Sequence, residues 1–84
     1  MWTVVLSKQA AKDAKKVSAS DLKPKVQKLI AVLQSDPYTL PYEKLVGDMQ
    51  GYYSRRINIQ HRLVYQIFDE QKVIKILRMW SRYE

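Results

Sequence analysis

GYYSRRINIQHRLVYQIFDEQKVIKILRMW, residues 51–80, is the stretch on which the fold turns. From Tyr52 to Ile59 side chains alternate in the two-residue period of a strand, and from His61 to Phe68 they do so again. Asp69, Glu70 and Gln71 form a polar turn, and Lys72 to Trp80 is a third apolar-rich strand. Three strands joined by short polar links predict an antiparallel meander, because two-residue to five-residue turns connect antiparallel neighbours only.

Upstream the period changes to that of helices. Trp2 to Leu6 is a short β-branched run that reads as a strand, and Ser7 follows as a helix cap. Lys8 to Val17 carries Ala10, Ala14 and Val17 on one face and lysines elsewhere. A second helix is expected from Ser20 or Asp21 to Gln34, with Leu22, Val26, Leu29, Ile30 and Leu33 as its apolar stripe. Pro24 belongs in its first turn, since deeper in it would break the hydrogen-bond ladder. Residues 35–51 hold Pro37, Pro41, Gly47 and Gly51 and read as a loop with a short turn of helix. The order strand, helix, helix, meander predicts one α+β domain over residues 1–84, with an N-terminal strand and a helical hairpin packed on an antiparallel sheet.

Composition narrows the chemistry. With 84 residues there is material for one hydrophobic core. The absence of cysteine removes disulfides, thiolate metal sites and a thiol nucleophile. His61 is the single histidine, and no carboxylate cluster stands near it in sequence, so no metal cofactor is expected. The N-terminal apolar run is too short for a signal-peptide core or a membrane span, which reads as a cytoplasmic protein without membrane association. A formal charge of +7 implies a polyanionic partner. All five arginines (Arg55, Arg56, Arg62, Arg78, Arg82) lie in the C-terminal half, and no acidic residue occurs between Asp48 and Asp69. The planar fork of arginine suits phosphate, so the phosphate-handling surface belongs to that half.

Cleavage of RNA by its own 2′-hydroxyl needs a base for that proton, cations for the phosphorane charge and an acid for the leaving 5′-oxygen. The chain offers Glu43 ahead of the meander, Arg55, Arg56 and Arg62 on its first two strands, and Tyr83 and Glu84 at the tail. Each has a plainer reading. Strand charges on a small basic domain are usually a solvated face, Glu43 alone is an ordinary loop carboxylate, and a histidine in the place of His61 is more often structural. Tyr52 and Tyr53 can stack on bases, or one ring can enter the core while the other faces water.

The segment Ser54-Arg55-Arg56-Ile57, followed by His61-Arg62-Leu63-Val64-Tyr65, resembles the most recognisable part of the Txe/YoeB toxins of the RelE superfamily. The likeness is specific over residues 51–65 and architectural over the first forty. It implies a microbial-ribonuclease-like fold and ribosome-dependent cleavage of mRNA in the A site. It also implies a cognate antitoxin that masks the site, and assembly as homodimers or toxin–antitoxin hetero-oligomers. Carried over by position, Glu43 becomes the general base, Arg62 the group that stabilises the phosphorane, and Arg56 a source of positive charge nearby. Lys44, Arg55 and Tyr53 join Arg56 as expected RNA contacts. The family tends to place a lysine three residues after the glutamate, where this chain has Val46. Either Lys44 substitutes or one phosphate contact is missing.

The tail departs further. Family members finish in His-Tyr, the histidine acting as general acid, whereas this chain finishes Ser81-Arg82-Tyr83-Glu84. Tyr83 fits the tyrosine, which leaves Arg82 at the acid position. Arginine stays protonated at any relevant pH, so it attracts phosphate but cannot hand over a proton, and loss of a general acid costs about 10²–10⁴ in rate. Two readings therefore stand side by side: a metal-independent endoribonuclease weakened or inactivated at position 82, and a non-cleaving module that binds RNA or antitoxin and, with the antitoxin, represses its own promoter.

Overall fold

The computed structural model describes the backbone of residues 1–82 and the side chains of that range except Met49 and 80–82. Strand β1 (Thr3–Leu6) leads into helices α1 (Lys8–Ser18) and α2 (Lys23–Ser35). A two-residue strand β2 (Glu43–Lys44), a 3-10 turn at Gly47–Met49 and strands β3 (Tyr53–Arg56), β4 (His61–Phe68) and β5 (Val73–Arg82) complete the chain. The five strands form one sheet in the order β1-β5-β4-β3-β2.

The expected three-stranded antiparallel meander is present as β3, β4 and β5; β2 adds a short antiparallel edge strand within the stretch expected as a loop, and β1 joins beside β5 in parallel, Thr3 opposite Val73 and Leu6 opposite Ile76. A parallel partner is open to β1 because the helix pair and three further strands lie between the two in sequence, ample chain for the crossover. The helices cover one face of the sheet. Ala10 and Val17 from α1 and Val26 and Leu33 from α2 meet Ile57, Leu63, Tyr65, Ile74, Ile76 and Met79, all buried.

The ends of the elements follow local chemistry. Ser7 caps α1 as expected, its hydroxyl accepting from the Ala10 amide at 3.0 Å. Helix α2 begins at Lys23, later than the pattern suggested, because Ser20 closes a turn instead of capping: its hydroxyl donates to the Val17 carbonyl and accepts from the Leu22 amide. Pro24 does sit in the first turn. Strand β3 stops at Arg56, short of the expected Ile59. The Asn58 carboxamide oxygen accepts from the amides of Gln60 (2.9 Å) and His61 (2.7 Å), which turns the chain straight into β4.

Strand β5 is irregular where it crosses α1. Tyr65 pairs with Ile76, Val64 with Arg78 and Arg62 with Ser81, so β5 gains one residue on β4 at each of two slips. Helix α1 satisfies the backbone there. The Ser7 hydroxyl donates to the Leu77 carbonyl at 2.9 Å, and Asp13 Oδ2 accepts from the Met79 amide at 3.1 Å and from Arg78 Nε at 3.0 Å. Asp13 is fully buried, and Gln9 donates to its other oxygen.

Candidate functional site

The site lies on the sheet face opposite the helices. The Ile57 amide bonds to the His61 carbonyl, so residues 57 and 61 form a hydrogen-bonded pair and Arg56 and Arg62 the next, non-hydrogen-bonded one. Residues in such a pair approach most closely, which sets two arginines of like charge at directly opposite positions. One row further, Ser54 pairs with Val64 on β4 and with Glu43 on β2. Glu43, Ser54, Arg56 and Arg62 thus share a face.

Arg62 is held there. Its side chain is 10% exposed, and Nη1 donates to Glu43 Oε2 at 3.1 Å and to Ser54 Oγ at 3.0 Å. Ser54 is buried, so its hydroxyl serves the guanidinium rather than water. The Glu43 side chain, by contrast, is 62% exposed and reaches the pair from the sheet edge. Formally the group carries two positive charges and one negative, a net cation presented by a preorganised fork. Such a surface accepts a phosphate and keeps a carboxylate within reach of it.

The remaining expected residues separate. Lys44 follows Glu43 on a strand and pairs with Tyr53, so both sit on the helix-side face. The Tyr53 ring stacks on Tyr65 (centroids 5.9 Å apart, planes at 19°) and meets Tyr38 and Tyr42 edge-on. Arg55 is buried, and its guanidinium donates to the carbonyls of Pro37, Thr39 and Pro41, so it clamps the loop that carries Glu43. His61 is buried at the start of β4. Val46 is exposed. Arg82 pairs through its backbone with His61, and Ser81 with Arg62, which brings the end of β5 beside the site; Tyr83 lies outside the described residues.

Sequence reading missed Ser54, Asp13 and the task of Arg55. Ser54 was legible, since strand alternation puts it on the face of Arg56 and, once β4 is paired, beside Arg62. Burial also shifts two phenols. Tyr38, which donates to Asp69 at 2.6 Å, is pushed well up, first by desolvation and then by that carboxylate. Tyr65 is raised by burial, with the Arg55 charge working the other way.

The same architecture recurs in known toxins. A YoeB/ParE toxin from Agrobacterium tumefaciens superposes with a TM-score of 0.87 over 96% of this chain and 99% of its own, at 27% identity. The toxin in the YoeB–YefM complex from Staphylococcus aureus gives 0.82 over 99% of both chains, at 32% identity. In sequence, Toxin YoeB of Streptomyces coelicolor is 46% identical over 52 residues, which are 60% of this chain and 62% of that protein. The chain spans about three-fifths of the length of the curated relatives it matches. A family model, the YoeB-like toxin of bacterial type II toxin–antitoxin systems, matches residues 6–83. The chain belongs to that family.

Proposed function

We propose that this toxin is an endoribonuclease that cleaves mRNA in the ribosomal A site and is weakened by Arg82. The observation that carries the reading is the arrangement of Glu43, Ser54, Arg56 and Arg62 on one open sheet face. Glu43 takes the proton of the 2′-hydroxyl, whose oxygen attacks the adjacent phosphorus. Arg62, oriented by Ser54, and Arg56 hold the negative charge of the phosphorane. The bond to the 5′-oxygen then breaks, leaving a 2′,3′-cyclic phosphate and, once protonated, a 5′-hydroxyl. That last proton comes from the residue at position 82 in the family pattern, and an arginine there stays protonated and cannot release one.

The partner is a cognate antitoxin, a reading supported by the Staphylococcus aureus complex with YefM, and self-association by the YoeB dimer solved from the same organism. A net charge of +7 suits an acidic antitoxin segment and ribosomal RNA alike, both held less tightly as salt rises. Arg82 itself favours a second reading, a toxin scaffold that binds antitoxin and RNA but cleaves nothing.

Inducible expression of the chain and of its Arg82→His variant tests the choice. Growth arrest and message loss that are strong only with histidine support the weakened enzyme. No arrest by either, with antitoxin binding intact, supports the binding scaffold.

A further inference from the structure

A cleft of about 300 Å³ opens beside Glu43, between α2 and the outer strands of the sheet. Leu29, Pro41 and Tyr42 form its apolar part, and Glu43, Ser54, Arg55 and Arg56 its polar part. Its walls are fixed before any ligand arrives. Arg55 Nη1 donates to the Pro41 carbonyl at 3.0 Å. The Tyr42 ring is braced edge-on against Tyr53 (5.6 Å) and Tyr38 (6.4 Å). Leu29 packs on the core with one side and lines the cleft with the other.

The volume lies at the small end of ligand clefts, which run from about 300 to 1,000 Å³, so it suits one ring system and not a dinucleotide. A cleft with an apolar wall of Leu29, Pro41 and Tyr42 beside a carboxylate, a hydroxyl and two guanidinium-bearing residues matches the chemistry of a nucleobase: a flat face to bury, polar edges to bond and a phosphate alongside. Arg56 links the cleft to the phosphate face, since it also stands opposite Arg62.

We infer that this cleft is a nucleobase subsite, receiving the base of a nucleotide whose phosphate lies on Arg56 and Arg62. The inference rests on the RNA-cleaving reading above and adds the place where base preference arises. Codon preference is set at Leu29, Pro41 and Tyr42, which take no part in the chemistry.

Titration of the labelled full chain with GMP, CMP and ribose 5-phosphate, followed by NMR, tests it. A base subsite predicts shifts at the Leu29 methyls and the Tyr42 ring with the nucleotides and none there with ribose 5-phosphate. It also predicts nucleotide binding about 5–150-fold tighter than the sugar phosphate, the range of a stacked base. Leu29→Phe, which fills the slot, then brings nucleotide affinity down to that of ribose 5-phosphate. If that variant fails to fold, the titration of the unaltered chain decides alone. Equal binding of all three ligands, with shifts confined to Arg56 and Arg62, overturns the subsite and leaves the phosphate face standing. Binding of none at millimolar concentration overturns the subsite together with the reading beneath it.

Discussion

Arg56 and Arg62 face each other across β3 and β4 as a like-charged cross-strand pair, and Glu43 bonds to Arg62 at 3.1 Å. Like charges in that position oppose folding, and the carboxylate offsets only part of the repulsion. A phosphate would complete the neutralisation, so binding and stability are linked. Inorganic phosphate or a short RNA should raise the melting temperature, and the rise should vanish in Arg62→Met. A melting temperature indifferent to phosphate would count against the anion site.

Glu43→Gln separates chemistry from folding. The carboxylate is mostly exposed, so removing its charge changes stability by no more than about 1 kcal/mol. Cleavage by an Arg82→His chain should fall about 10²–10⁴-fold when Glu43→Gln is added. Gel-resolved cleavage beside a thermal melt reads both quantities.

Ser54→Ala tests the orientation of Arg62. Losing the hydroxyl that accepts from Nη1 at 3.0 Å costs about 1 kcal/mol of stability. It should also weaken RNA binding, with a smaller effect at high salt, where the charge itself counts for less.

Asp13 is the structural counterpart on the other face. Asp13→Ala leaves the Met79 amide without its acceptor, a loss of about 1–3 kcal/mol, or about 4–8 °C in melting temperature per kcal/mol. Its ion pair with the half-exposed Arg78 adds little, because solvent screens it. Asp13→Asn keeps an acceptor and should recover most of the loss. A full loss with asparagine would mean that the charge matters more than the hydrogen bond.

Alkali should act through Tyr38 and Tyr65. Both phenols are raised on folding, so above about pH 10 the unfolded chain releases protons that the folded chain retains. Their contribution is intact below that pH and declines as pH rises. Spectrophotometric titration should show two phenols ionising late, and denaturation midpoints should fall above pH 10. Tyr38→Phe should remove one late phenol and flatten that fall.

The meander and the helix pair were legible because side-chain period and turn residues agree along those segments. Strand β4 was bounded correctly at both ends, His61 and Phe68, whereas the Asn58 turn that precedes it was read as part of β3. What escaped depends on contacts distant in sequence. The parallel seat of β1 is invisible in its own four residues. Asp13 looked like one more polar residue on a lysine-rich helix until the slips in β5 presented an unpaired amide to it. In the site, the resemblance named Glu43, Arg56 and Arg62, which the sheet places on one face, whereas the structural task of Arg55 was not legible. An arginine beside another on a strand points the opposite way, and here that direction leads under the loop.

The most direct test is primer extension on a message translated by purified ribosomes, with the unaltered chain, Arg82→His, and Arg82→His combined with Glu43→Gln. The account predicts strong A-site cleavage by the histidine variant, weak or absent cleavage by the original chain, and loss of cleavage when Glu43 is replaced. Equal cleavage by the original and the histidine variant would contradict the part assigned to position 82. Undiminished cleavage without the Glu43 carboxylate would contradict the site itself.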